Sequence, residues 1–341
     1  MHTDDFDYDL PSSKIALFPP TLRGKSKLLV LNKQTGEIKH SRYEDISKFL
    51  SPGDLVILNR TKVFPARLIV SKKDKKREFL LLERHSKNLD THNWKVLYKG
   101  NIMPNEVYNL ANSKIIVSKV MSEGLAIISS TADLLKLSEQ YGKTPIPPYL
   151  HRDATKNDSV RYQTEFADTT GSVAAPTASL NFTLNLKEKL IKQNINVAYI
   201  TLHVGLGTFL PIRTKDLEKH KMHSEYFEIP ISTLHAIQQA KKNGNKIIAV
   251  GTTVTRALEY AQKDIFQVPI KSLSGEANIF IYPGYKFRVI DMMLTNFHAP
   301  KSTVLMMASA FAGWNNLKTA YNTALLKDYK FLSYGDSMLI I

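Results

Sequence analysis

Apolar runs that end in glycine-rich polar turns and then resume with helical spacing recur along the second half of the chain. Residues 197–203 are β-branched and aromatic enough for a buried strand, and the chain then breaks into Gly205-Leu206-Gly207-Thr208. Residues 246–250 predict another strand, followed by Gly251-Thr252-Thr253 and a helix around Arg256, Leu258 and Glu259. Residues 296–303 open an apolar helix through Leu305, Met306 and Phe311. Strand, glycine-rich loop, helix is the crossover unit of an α/β sheet. Ligands in such sheets bind outside the carboxyl ends of the strands, so these polar loops are expected to converge on one pocket.

The texture differs between residues 67 and 145. After a buried strand and turn across 54–68, short β-rich pieces appear at 68–71, 78–83, 94–98, 114–120 and 125–129, separated by charged or polar turns. Short, evenly spaced strands predict a small barrel or sandwich. Pro145, Pro147 and Pro148 then form a rigid connector. The expected organisation is a discontinuous α/β domain, residues 1–66 and 146–341, carrying an all-β, barrel-like insert at 67–145.

Composition narrows the partners. A chain of 341 residues can build a full core. Its net charge of +15 points to an anionic partner, nucleic acid first. The basic tip at 72–77 suits phosphates or is simply a solvated turn. The absence of cysteine excludes disulfides, thiolate metal sites and a cysteine nucleophile. No run of 18 apolar residues occurs, and the first residues are acidic and polar rather than a signal sequence. The expectation is a cytoplasmic, monomeric protein without a membrane or an obligate protein partner.

Candidate chemistry concentrates in a few places. Residues 171–183 form a run of Gly, Ser, Ala and Thr with too little side-chain volume to build a core, which leaves backbone open to close approach. Pro176 suits the first turn of a helix continuing through Leu180, Leu184, Leu190 and Ile191. The free N–H groups there would favour a polar or anionic group; a tight helix start against a strand is the plainer alternative. His203 ends a strand and His298 precedes a helix, positions that suit either a pocket or a satisfied structural role. Asp336 follows a turn and fits a buried, paired carboxylate or a turn-stabilising one. His220 and His223, three apart with Glu225 nearby, would face one side of a helix, but no third ligand or His-Glu-x-x-His pattern supports a metal. Aromatic and basic residues interleave from Phe280 to Arg288, a pattern that suits stacking on splayed bases or ordinary strand packing.

Taken in order, these blocks resemble the S-adenosylmethionine:tRNA ribosyltransferase-isomerases of queuosine biosynthesis, the QueA family. The resemblance rests on Phe6-Asp7-Tyr8-Asp9-Leu10-Pro11, Asn59-Arg60-Thr61-Lys62-Val63, Pro65-Ala66-Arg67-Leu68 and Pro147-Pro148-Tyr149. It continues through Tyr162-Gln163-Thr164, residues 171–178, His203 to Phe209, His220 to Glu225, Gly251-Thr252-Thr253 with Arg256, residues 280–285, Thr295 to His298, Pro300 to Thr303, and Tyr334-Gly335-Asp336. Only 69–143 matches weakly.

The resemblance implies transfer and isomerisation of the ribosyl group of S-adenosylmethionine onto 7-aminomethyl-7-deazaguanine at the wobble position of a tRNA with a GUN anticodon. Epoxyqueuosine forms, and adenine and methionine leave. No metal or redox cofactor is implied; S-adenosylmethionine is the cosubstrate. Ser172, Ala175, Pro176, Thr177, Gly205, Gly207, Thr208, Gly251, Thr252 and Thr253 are then expected to hold it, with helix N-termini or Arg256 meeting its carboxylate. His298, His203, Asp336 and His223 are the acid–base candidates. Tyr162, Gln163, Tyr282, Tyr285, Asn296 and Lys301 are candidates for contact with the base or tRNA.

Departures from the family pattern keep other readings open. Ser179 and Asn181 stand where the family has Gly and His, and Asn cannot titrate near neutrality. Val254-Thr255 replaces Ser-Val, and Ala277-Asn278 replaces Thr-Asp. A catalytically impaired tRNA-binding relative fits these changes. An S-adenosylmethionine-dependent RNA methyltransferase is the other alternative.

Overall fold

The computed structural model describes residues 1–82, 90–205, 212 and 214–341. The chain builds β1 (Lys27–Leu31), β2 (Ile38–Arg42), β3 (Leu55–Asn59) and β4 (Thr61–Val63). Six strands follow: β5 (Arg67–Lys72), β6 (Lys75–Leu81), β7 (Asn93–Lys99), β8 (Val107–Leu110), β9 (Ser113–Val120) and β10 (Leu125–Ser130). After α1 (Leu134–Tyr141) and α2 (Lys156–Arg161) come β11 (Thr169–Ser172), α3 (Leu184–Lys192), β12 (Asn196–Leu202), β13 (Glu225–Ile229) and α4 (Ile231–Lys242). The chain ends with β14 (Ile247–Val250), α5 (Thr252–Tyr260), β15 (Leu273–Ala277), β16 (Met292–Asn296), α6 (Thr303–Ala312), α7 (Trp314–Leu326) and β17 (Ser337–Ile340).

Nine strands form one mixed sheet in the order β15-β13-β12-β3-β14-β16-β17-β1-β2. Its centre, β12-β3-β14-β16, is parallel throughout. β3 is buried at every position, as a strand covered on both faces must be. Alternate residues of the same strands feed two separate cores. Leu29, Leu31, Leu55 and Ile57 pack with Leu234, Leu258, Leu305 and Leu317 of the helices on one face. Leu28, Val30, Val56 and Leu58 pack with Tyr43, Ile46, Leu186 and Leu190 on the other. The fold is therefore α/β with helices on both sides of the sheet. No helix among the described residues is long and apolar enough to cross a membrane.

The six strands β5 to β10 close into an antiparallel barrel, order β10-β7-β6-β5-β8-β9. Alternation of buried and exposed positions turns Leu68, Val70, Phe79, Trp94, Val96, Tyr108, Ile115, Val117 and Ile128 inward. Trp94 Nε1 donates to the Leu82 carbonyl at 2.8 Å, satisfying its one polar atom. β8 is the strand that the sequence pattern misses, because Val-Tyr-Asn-Leu gives only two inward residues. The sequence-expected strand at 78–83 ends at Leu81; Glu83 lies outside the described residues.

Two further expectations are corrected. Pro176 does not start a long helix: residues 177–179 make one 3₁₀ turn and the chain leaves it. The true start is capped by Thr183, whose Oγ1 accepts from Leu186 N at 3.1 Å. That phase buries Leu186 and Leu190 and exposes Leu184 and Ile191. Residues 280–288 are irregular rather than a strand, with a turn at Pro283-Gly284.

The two ends of the inserted barrel are tied to each other where α1 ends. Gly142 N donates to Ser138 O at 2.8 Å, and Lys143 exchanges backbone hydrogen bonds with Arg67. A methyl group on Gly142 would stand 1.8 Å from the Pro65 carbonyl oxygen. Gly142→Ala is expected to lower stability by roughly 1–3 kcal/mol through overpacking against backbone that cannot yield, read by urea denaturation.

Candidate active site

The carboxyl ends of the parallel strands meet at the Asn59 side chain. Its Nδ2 donates to Leu202 O at 2.9 Å and to Thr253 Oγ1 at 3.3 Å. Its Oδ1 accepts from Thr61 N at 3.1 Å and from Leu202 N at 3.0 Å. The amide is fully buried and all four of its hydrogen-bonding positions are used. It thus joins the ends of β3 and β12 to the first turn of α5. Sequence reasoning passed over Asn59 as a site residue; its signal was a polar amide ending an otherwise apolar strand.

Beside it, a narrow cleft is lined by Ala175, Pro176, Thr177, Ala178, Val204, Gly251, Thr252, Thr253, Thr295, Asn296 and His298. Three of the polar loops singled out in the sequence, together with Val204, are brought to one place. Gly251 caps α5 at φ 96°, a left-handed value that favours glycine, and no side chain among the described residues caps that helix. Its first N–H groups therefore open toward the cleft. Thr177 Oγ1 donates to Asn296 Oδ1 at 2.8 Å.

His298 is held on every side but one. Its N–H donates to Tyr321 Oη at 3.0 Å, its carbonyl accepts from the Tyr8 hydroxyl, and its Nε2 pairs with Thr295 Oγ1 at 2.8 Å. Burial pulls its pKa down to about 3, so the imidazole is neutral at physiological pH. His203 is buried and its Nδ1 pairs with Thr61 Oγ1 at 2.8 Å. Gly171 leaves the room for that ring: a methyl there would lie 2.4 Å from His203 Nε2. Ser172 does not face the cleft. Its buried Oγ donates to Ala174 O at 2.7 Å and accepts from Val204 N at 2.8 Å, tying the small-residue loop to the end of β12.

α5 carries two buried charges with fixed partners. Arg256 pairs with Glu225, and Glu225 Oε1 accepts from Gly205 N at 2.9 Å. Arg256 is thus the structural pair expected as its alternative, not a carboxylate site within the cleft. Gly207 and Thr208 lie outside the described residues. Glu259 accepts from Arg288 N, Val289 N and Ile290 N at 2.9–3.1 Å, which moors the aromatic turn. Tyr285 reaches the same Glu259 at 3.2 Å, while Tyr282 packs against Phe280 and Phe280 against His220.

Other sequence candidates are placed elsewhere. Asp336 is a structural tie: Oδ1 accepts from Lys27 N at 2.6 Å and Oδ2 from Lys330 N at 2.7 Å, and it does not line the cleft. Burial raises its pKa. Tyr162 is 1 % exposed and packs edge-on against Tyr334, so it is a core residue, not a base contact. Gln163 spends both ends of its amide on the Val63 backbone, at 3.0 and 3.1 Å. His220 and His223 sit on irregular chain, not a helix; His223 is exposed, and burial with the neighbouring His223 lowers the His220 pKa. Lys301 pairs with Asp4 and Asp7 at 2.8 and 2.9 Å. Ser179 and Asn181 are buried and do not line the cleft.

Two outcomes are expected. Asn59→Ala strands the buried Leu202 N–H and C=O and lowers stability by about 2–4 kcal/mol, measured by chemical denaturation. The depressed pKa of His298 fixes the sign of a pH effect. The unfolded imidazole charges below about pH 6.5 and the folded one does not, so this stabilisation is full above pH 6.5 and is lost as pH falls toward 3. Between pH 7.5 and 5 the native sequence should lose about 2 kcal/mol more than His298→Gln, read from paired urea titrations.

Comparison with known proteins agrees along the whole length. The family model described as "Queuosine biosynthesis protein" matches residues 3–340. The S-adenosylmethionine:tRNA ribosyltransferase-isomerase of Chlorobium chlorochromatii is 49% identical over 344 residues, covering 100% of both chains. That of Chlorobaculum parvum is 50% identical over 345 residues with the same coverage. The crystal structure of an S-adenosylmethionine tRNA ribosyltransferase from Thermotoga maritima shares 30% identity at a TM-score of 0.57, covering 99% of this chain and 100% of that one. With the family model matched over residues 3–340 and the relatives covered end to end, this chain belongs to the queuosine biosynthesis protein family.

Proposed function

We propose that the chain is an S-adenosylmethionine:tRNA ribosyltransferase-isomerase whose cleft at the ends of β14 and β16 receives S-adenosylmethionine. The observation that carries this is the full-length identity of about half its residues to proteins of that name, joined to a polar cleft where an α/β sheet binds ligands. The acceptor is 7-aminomethyl-7-deazaguanine at the wobble position of a tRNA with a GUN anticodon, and the work is done in the cytoplasm. The net charge of +15 supplies the attraction to tRNA.

The reaction makes demands that residues of the cleft suit. The sulfonium acidifies the C5′ protons of the ribose, and a positioned neutral base removes one. His298 lines the cleft, and its Nδ1 has no partner among the described residues. Adenine then leaves, the tRNA amine attacks the sugar, methionine departs, and the ring rearranges to the epoxycyclopentanediol. The amine must be held close and water kept away. The Tyr8 and Tyr321 hydroxyls fix the His298 backbone for such a role. His203, buried against Thr61 and Tyr226, supports the wall instead. Since Asn181 does not line the cleft, its lack of a titratable ring leaves the proton path through His298 intact.

Mass spectrometry of tRNA bearing the aminomethyl base, after incubation with the protein and S-adenosylmethionine, tests the reading. Epoxyqueuosine with stoichiometric adenine and methionine is expected. Binding of tRNA without adenine release would instead indicate an impaired relative, and S-adenosylhomocysteine would indicate methyl transfer. His298→Gln should lower kcat by at least 10²-fold with little change in tRNA affinity.

A further inference from the structure

The cleft holds a buried side-chain donor that is unsatisfied among the described residues. Asn296 is 3 % exposed and lines the cleft, and its Oδ1 is taken by Thr177 Oγ1. Its Nδ2 has no hydrogen-bond partner among the described residues. A buried amide nitrogen left empty costs free energy unless something accepts from it. The second observation is α5, a nine-residue helix that begins on Gly251 without a side-chain cap and whose first residues, Thr252 and Thr253, line the same cleft. An uncapped N-terminus presents N–H groups and the positive end of the helix dipole. No acidic residue lines the cleft among the described residues, and Arg256 of α5 pairs with Glu225. The wall therefore offers neutral donors on two elements and calls for an acceptor-rich anion.

We infer that Asn296 Nδ2 and the N-terminus of α5 together form a carboxylate subsite that takes the methionyl carboxylate of S-adenosylmethionine. This rests on the function proposed above and assigns one end of its cosubstrate. Asn296 and His298 are separated by one residue at the end of β16. Anchoring the carboxylate at Asn296 places the sulfonium and the ribose C5′ toward His298, and so fixes which end of the molecule meets the base. Asn296 is then a residue of the cosubstrate site, not of the tRNA surface. The same donors would also accept a phosphate of the tRNA backbone, and the experiment separates the two sources.

Calorimetric binding of S-adenosylmethionine is compared with that of its decarboxylated analogue, S-adenosylmethioninamine, with and without a tRNA anticodon stem-loop. The native protein should bind the carboxylate form at least tenfold more tightly, the effect of charge-assisted hydrogen bonds. Asn296→Asp keeps the bond from Thr177 but sets a negative charge against the carboxylate. It should weaken S-adenosylmethionine at least tenfold and change the analogue by less than threefold. Asn296→Ala should narrow the preference between the two ligands and serves where the Asp variant does not fold. Equal affinity of the native protein for both ligands, or equal weakening of both by the variants, overturns the assignment. So does loss of stem-loop binding with S-adenosylmethionine unaffected, which would mark the anion as a tRNA phosphate. A native protein that discriminates the ligands but releases no adenine refutes the proposed reaction and leaves the subsite standing. One that turns over without discriminating refutes only the subsite.

Discussion

One buried amide sets the geometry on which the site depends. Where parallel strands end, their last N–H and C=O groups lose their ladder partners and must be satisfied some other way. Asn59 does this for β3 and β12 at once and reaches Thr253 on α5 as well. A side-chain amide has the same donor and acceptor as a peptide unit, so it can extend a ladder sideways where the backbone cannot. With four hydrogen bonds in a dry environment the amide is rigid. The cleft beside it inherits that rigidity, because Thr253 and Val204 are both set by the elements Asn59 holds.

α5 distributes the same order outward. Its two charged side chains are buried, and each fixes a loop: Arg256 through Glu225 to Gly205, and Glu259 to the backbone of residues 288–290. Burying these charges is tolerable only because each is hydrogen-bonded, and removing one partner would leave the other uncompensated. The helix thus spends its charges on architecture and keeps its N-terminus for the cleft. This division explains why an arginine beside a binding loop is not itself a binding residue here.

Away from the cleft, polar residues play the same architectural part. Asp158 accepts from Arg152, Thr155 and Tyr334, linking the 152–158 stretch to Tyr334; burial alone would raise its pKa, and these donors hold it below the usual carboxylate range. Asp336 joins Lys27 and Lys330 by backbone hydrogen bonds. In both cases a buried carboxylate ties together parts of the chain that are far apart in sequence. The motif residues of this chain therefore divide between those that line the cleft and those that hold its walls.

Hydrophobic periodicity and turn chemistry were enough to read the α/β class, the strands expected at 197–203 and 246–250, and the β-rich texture of the barrel, because these are local properties of the chain; the first of those strands ends at Leu202, one residue before the expected end. Of the loops expected at 171–178, 251–253 and 296–303, Ala175 to Ala178, Gly251 to Thr253, Asn296 and His298 line the cleft. What the sequence could not carry was the division of labour among polar side chains. His203, expected to end a strand, and His298, expected before a helix, were equally open to a pocket or a structural role, yet one packs against Gly171 and Thr61 and the other lines the cleft. Asp336, Gln163 and Tyr162 read as chemistry and are structure, whereas Asn59 read as neither and ties the strand ends. The reason is physical. A polar group's role depends on whether its hydrogen bonds are already taken, and the partners that take them are separated by 143 residues for Asn59 and by 309 for Asp336, distances that only the tertiary structure closes.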